Sequence, residues 1–261
     1  MTGKLYVVGI GPGDPELLTL KAVRILKDVP CIFVPKGREE GSSLALSIVQ
    51  KALSLEGKEI VEAYFPMVKT APHPPNVSPS LTGQAGPLPR GEREVLQAGD
   101  LDLKWDTIVE SVLGRIDKDI DVAFITIGDP GIYSTFFYLY DKLLERMPAL
   151  AIEIVPGISS INAAAARAGL YLGLGNERIA ILPANYMDSL EETLEKFDTV
   201  VLMKISKVFT TVRDLLVLMN RAAQATYVVR AGMDDERVYK DISQVREEDL
   251  NYFSLMIVRK G

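Results

Sequence analysis

Apolar positions along the chain follow two alternating rhythms. "KLYVVGIG" is a short unbroken apolar run stopped by glycine, which predicts a strand buried on both faces. "PELLTLKAVRILKD" follows, with Leu17, Leu20, Ala22, Ile25 and Leu26 spaced broadly for one face of an amphipathic helix. "PCIFVP" repeats the strand pattern. "GSSLALSIVQKAL" repeats the helix, with Ser42 or Ser43 as its cap, and "EIVEAYFPM" returns to strand. This alternation predicts a mainly parallel sheet covered by helices on both faces.

The rhythm then stops. From Val68 to about Gly99 the chain carries six prolines: Pro72, Pro74, Pro75, Pro79, Pro87 and Pro89. Proline removes backbone donors, so neither a helix nor a central strand is expected, and a long surface insertion at about 69–100 is predicted. Regular structure resumes with "KWDTIVESVLGRI" as helix, "VAFITI" as strand, "STFFYLYDKLLERM" as helix, "AIEIVPG" as strand and "ISSINAAAARAGL" as helix. The unit then starts again: "RIAILPA", "SLEETLEKF", "TVVLMK", "VFTTVRDLLVLMNRA" and "ATYVVRAG" alternate strand and helix. "DERVYKDISQV" and "YFSLMIVRK" read as strand pairs near a sheet edge. The fold class is therefore α/β, with two α/β units, 1–157 and 158–261.

Composition narrows the class. The 261 residues are 48% hydrophobic and 25% charged, a profile of a soluble globular protein. The net charge of −6 argues against general nucleic-acid binding. The single cysteine, Cys31, lies in an apolar run and is expected to be buried, with no intramolecular disulfide. There is no secretory leader and no apolar stretch near the ~20 residues a membrane span needs, so a cytoplasmic protein without a membrane partner is expected. No metal site is expected.

Candidate chemistry sits in three loops at strand ends, where open α/β sheets bind ligands. The first is "GIGPGDP". Its Gly9, Gly11 and Gly13 suggest a dinucleotide loop, but Asp14 occupies the third glycine position of that motif. Asp14 can cap the next helix, and Pro15 suits its first turn. A capping carboxylate takes the place a pyrophosphate would use, which disfavours a nicotinamide cofactor. The second loop is "TIGDPGIYST", where Gly128 permits close approach and Asp129 brings a carboxylate to the strand end. The third is "VPGISSIN", where Ser159 and Ser160 open a helix. Each loop taken alone also has an ordinary capping explanation.

Together the loops closely resemble those of the tetrapyrrole methylase family. The resemblance is carried by "VGIGPGDPELLTLKAVRIL", "SLALSIV", "VAFITIGDPGIYSTFFYL", "EIVPGISSINAAAARAGL", "LPA", "VVLMK" and "RAGMDDE", in order along nearly the whole chain. It looks most like the branch that methylates carbon 20 of precorrin-2 or cobalt-factor-2 in cobalamin biosynthesis. The Pro-rich segment is longer than the family usually carries.

The resemblance implies two α/β domains, S-adenosylmethionine (SAM) in the cleft between them, and a homodimer. By position it implies Pro12 against the cofactor, Gly128, Asp129 and Ile132 at the ribose and methionine ends, and Ser159 and Ser160 at the methionine part. Ala184, Met203 and Ala231 would wall the adenine. A reduced tetrapyrrole has an electron-rich bridging carbon, so the protein's task is alignment and exclusion of water, with a weak base to help the departing proton. Asp14 and Tyr133 are the candidates for base or positioning residue. The lone histidine, His73, lies in the Pro-rich segment and is expected to be solvated. Lys36, Arg38, Lys204 and Arg230 follow strands and could neutralise substrate carboxylates. Methylation at another ring position, or of a protein or RNA target, is the near alternative. A non-catalytic nucleotide- or tetrapyrrole-binding module is the alternative of another class.

Overall fold

The computed structural model describes residues 2–37, 43–65, 98–184 and 190–260, with only the backbone described at 98–101. Arg38, His73 and most of the Pro-rich segment lie outside the described residues. Two five-stranded sheets form the frame.

The first sheet has the order β3-β2-β4-β1-β5, from β1 (Leu5–Gly9), β2 (Cys31–Lys36), β3 (Glu59–Tyr64), β4 (Val122–Thr126) and β5 (Ile152–Val155). All its pairings are parallel. Side chains alternate across a strand, so consecutive residues enter opposite faces. Val7, Phe33 and Phe124 pack on one face with helices α3 (Ala98–Ile116) and α4 (Phe137–Arg146). Val8, Ile32 and Ile125 pack on the other with α1 (Leu20–Asp28) and α2 (Leu44–Ala52). Burial on both faces is why these strands read as unbroken apolar runs.

Helix α1 begins later than the sequence pattern suggested. Asp14 accepts from the backbone N–H of Glu16 and caps a single 3-10 turn, Pro15–Leu17. The α-helix is capped by Thr19, which accepts from the N–H of Ala22. The extended backbone of Leu18 separates the two, so Leu18 turns inward while Leu20 is 90% exposed. Ser43 caps α2 and its hydroxyl donates to the carbonyl of Pro35, tying the helix to the end of β2.

The chain passes to the second sheet after β5. Helix α5 (Ser160–Ala168) packs Ile161, Ala164, Ala165 and Ala168 against Val201, Val228, Leu255 and Ile257 of the second sheet. The alanines allow this close approach. That sheet has the order β6-β7-β10-β8-β9, from β6 (Ile179–Pro183), β7 (Thr199–Met203), β8 (Ala225–Val229), β9 (Arg237–Tyr239) and β10 (Ser254–Arg259). Helices α6 (Leu190–Lys196) and α7 (Phe209–Leu218) cover its other face.

Here the sequence reading needs correction. The last strand is not near an edge: β10 lies in the middle, antiparallel to both β7 and β8. Only β6 and β7 pair in parallel in this sheet, and β9 is the edge strand. The physical sign was present, since Leu255–Val258 is an apolar run buried on both faces, as a central strand requires.

Candidate functional site

In the first sheet, β1 connects onward toward β2 and β4 toward β5, so the neighbouring strands β1 and β4 send their chains to opposite sides. Ligand crevices open at the carboxyl ends of strands at such a switch. The loops there touch one another through backbone. Gly11 and Gly128, both with left-handed φ (+76° and +78°), form an isolated antiparallel bridge with N–H···O distances of 3.3 and 2.7 Å. A Cβ on Gly157 would lie 2.3 Å from the Gly128 carbonyl oxygen, and one on Gly9 would lie 2.6 Å from the Gly157 nitrogen. The loops after β1, β4 and β5 are thus joined where only hydrogen atoms fit.

Asp129 fastens the same junction. One carboxylate oxygen accepts from the N–H of Gly131 (2.7 Å) and the other from the N–H of Gly157 (2.9 Å). Ser159 caps α5: its hydroxyl accepts from the N–H of Asn162 and donates to the Asn162 side-chain oxygen. Gly13 faces the other sheet, where a Cβ would lie 2.5 Å from Met233 and 2.9 Å from the Gly232 carbonyl oxygen. The glycines of the first loop therefore serve contact between loops.

The opposing wall comes from the second sheet. Because β10 runs antiparallel to β7 and β8, its beginning lies beside their ends. Met203 and Lys204, Arg230 and Ala231, and the segment Tyr252–Leu255 meet there around a cavity of about 840 Å³. Pro12, Gly128, Asp129, Ile132, Tyr133, Ser159, Ser160, Met203 and Ala231 all line it.

Two expected site residues do not. Asp14 is not among the lining residues; its carboxylate caps the 3-10 turn and lies 3.7 Å from Arg167. Ala184 is buried in the core of the second sheet and gives its N–H to the Met203 carbonyl (2.7 Å), so it supports the strand end that carries Met203. The sequence reading missed Ser43, Leu44 and Ala45 beyond β2, Phe65 beyond β3, and Tyr252–Leu255. The first two groups follow strands of the same parallel sheet, a signal that was available. The third was hidden by the edge assignment of β10.

Of the four candidate cations, Lys36, Lys204 and Arg230 line the cavity. Lys36 is paired with Glu62 at 2.8 Å, and Arg230 is paired with Asp235. The Lys204 ammonium stands 5.3 Å from the centre of the Tyr133 ring. Loss of solvent raises the Tyr133 phenol above its ordinary range, so it stays protonated at neutral pH. Its hydroxyl donates across to the Ile181 carbonyl of β6 at 3.4 Å.

Comparison with known proteins agrees with this arrangement. The model of the "Tetrapyrrole (Corrin/Porphyrin) Methylases" matches residues 4–245. A protein of Methanocaldococcus jannaschii named a probable cobalt-precorrin-2 C(20)-methyltransferase is 36% identical over 98% of this chain and 96% of its own length. The cobalt-precorrin-2 C(20)-methyltransferase of Salmonella typhimurium is 30% identical over 100% of this chain and 98% of its own. A crystal structure of uroporphyrin-III C-methyl transferase from Thermus thermophilus complexed with S-adenosyl homocysteine shares the fold, with a TM-score of 0.61 at 21% identity over 99% of this chain and 98% of that one. On the family match and on relatives aligned from end to end, this chain belongs to the tetrapyrrole (corrin/porphyrin) methylases.

Proposed function

We propose that this protein is a SAM-dependent C-methyltransferase that methylates carbon 20 of precorrin-2 or its cobalt form in cobalamin biosynthesis. The observation that carries the reading is the cavity between the two sheets, in a chain 36% identical along its length to a relative named for that reaction. Its volume falls in the range of ~300–1,000 Å³ that small-molecule sites occupy.

The residues present fit the cofactor. Gly128 offers open space: a Cβ there would meet only the Ser160 nitrogen, at 3.8 Å. A side chain at this position would fill the cradle. Pro12, Ile132, Met203 and Ala231 supply apolar surface suited to adenine, and Asp129, Ser159 and Ser160 supply polar groups suited to the ribose and methionine ends. When bound, SAM supplies an electrophilic methyl group.

The protein's own part is geometric. Junction glycines fix the floor of the cavity, so the reacting partners are held in line at little further entropic cost. Tyr133 serves as a donor and a platform: its hydroxyl donates to the Ile181 carbonyl and its ring faces Lys204, and the phenol is protonated at neutral pH. The two sheets act as the two domains of the enzyme, divided at Gly157. The resemblance also implies a homodimer, and a cytoplasmic location is proposed with it; sedimentation velocity and cell fractionation are the tests. Among the described residues no helix is long and apolar enough to cross a membrane.

The decisive experiment incubates the protein with methyl-labelled SAM and, side by side, precorrin-2 and cobalt-factor-2. A labelled product carrying one added methyl group at carbon 20 is expected. Binding of SAM with no label in either macrocycle would refute the reading.

A further inference from the structure

Three side chains in left-handed backbone face the cavity without being glycine, asparagine or aspartate. They are Tyr133 (φ 53°), Lys204 (φ 57°) and Arg230 (φ 54°). Among the described residues, the other two non-glycine residues of positive φ are Asp119 and Asn220, types that tolerate this region well. For the cavity residues the conformation is costly and has no intrinsic explanation, and such strain gathers where a side chain must be aimed.

The three differ in what they hold. Arg230 is engaged by Asp235. Tyr133 reaches from the first sheet to the Ile181 carbonyl of the second. Lys204, from the end of β7, lies over the Tyr133 ring, and among the described residues no carboxylate is within ion-pair distance of it. The ring holds the ammonium by cation–π attraction without neutralising it.

We propose that Lys204 is the specificity-determining anchor for a carboxylate of the substrate, and that Tyr133 is the positioning residue that pre-orients it across the cleft. This rests on the reading of the substrate as a tetrapyrrole bearing acidic side chains. Lys36, the remaining cavity lysine, already has Glu62 as its partner and so has less charge to offer.

The test compares wild type with Lys204→Gln, Lys204→Arg and Lys204→Gly. The readouts are methylation kinetics, SAM titration, and fluorescence titration with uroporphyrin III as a stable polycarboxylate probe, each at low and high salt. For Lys204→Gln the KM and the uroporphyrin Kd are expected to rise ~10-fold or more, the loss of one charge-assisted hydrogen bond. The effect should fall on KM more than kcat, the SAM Kd should stay within about twofold, and the salt dependence should flatten. Lys204→Arg should recover part of the affinity. Lys204→Gly removes the charge but accepts the left-handed backbone, so it should melt at or above the wild-type temperature while binding as poorly as Lys204→Gln.

Unchanged KM, Kd and salt slope in Lys204→Gln, with wild type active, would overturn the anchor and leave the function standing. A wild type that binds uroporphyrin through Lys204 yet methylates neither precorrin form would support the anchor and refute the reaction. Weak binding that accompanies a lowered melting temperature in Lys204→Gly would assign Lys204 a structural role and overturn the proposal.

Discussion

Replacing Gly157 by alanine tests the glycine junction directly. The added Cβ would lie 2.3 Å from the Gly128 carbonyl oxygen and 2.8 and 2.9 Å from the Gly9 carbonyl carbon and Cα. All three are backbone atoms of strand ends or adjoining loops, so none can swing aside. Restoring a tolerable separation of about 3.0 Å means parting the loops by about 0.7 Å, and packed atoms resist such overlap steeply. Overpacking of this kind costs about 1–3 kcal/mol. The same movement strains the 2.9 Å bond from the Gly157 N–H to Asp129, and a hydrogen bond to a charged group contributes about 1.5–3 kcal/mol. The sum, about 2.5–6 kcal/mol, corresponds to a drop of roughly 5–24 °C in Tm for a chain of this size. Gly57→Ala is the control. Gly57 has φ +78° with nothing near its absent Cβ, so it isolates the backbone strain of about 1–2 kcal/mol. Urea denaturation and SAM titration of both variants decide the matter. A Gly157→Ala protein no less stable than Gly57→Ala, with normal SAM affinity, would refute the reasoning.

Other outcomes follow from the same geometry. Asp129→Ala removes the acceptor of two backbone N–H groups and should lower stability by about 2–3 kcal/mol, read by urea denaturation, with SAM affinity reduced at least ~10-fold by calorimetry. Asp14→Asn should cost less than ~1 kcal/mol and leave kcat within about twofold, because asparagine also caps and the carboxylate lies off the cavity; a large fall in kcat would return Asp14 to the chemistry. Glu153, bonded to Lys21 and to Lys4, has its carboxyl lowered to about 2. A depressed carboxyl gives stability that is full above its unfolded value near 4.5 and lost as pH falls toward 2, so acid melting of Glu153→Gln should lack that component. Cys31 is buried, and its thiol is pushed up to about 11 chiefly by desolvation, so a thiol reagent should label it at pH 8 only after unfolding.

Much of the first sheet was legible because its inner strands β1, β2 and β4 are buried on both faces and its helices on one, so periodicity and burial say the same thing there. The three glycine loops were legible as candidate ligand loops through their place after parallel strands, and residues of all three line the cavity. What the sequence concealed was tertiary. Asp14 read both as a helix cap and as a group at the mouth of a ligand site; its carboxylate caps the Pro15–Leu17 turn and lies near Arg167, over 150 positions away, a neighbour no local spacing encodes. Ala184 sits beside Met203 in space but on the other side of the strand end, a distinction no spacing encodes. Lys36, Lys204 and Arg230 were equal as charges in the sequence. Their partners separate them, and those partners are fixed by strand pairing and loop conformation.

The placement of β10 sets an order of events during synthesis. The parallel half is closed once Val155 has been made, since all five of its strands precede that residue. The other half must wait, because residues 254–259 bridge β7 and β8, which otherwise share no direct pairing. Until those residues leave the ribosome, both strands present open edges, and the wall carrying Lys204 and Ala231 has nothing to close against. A nascent chain stalled before Ser254 should therefore display a finished half beside a sticky, chaperone-dependent one.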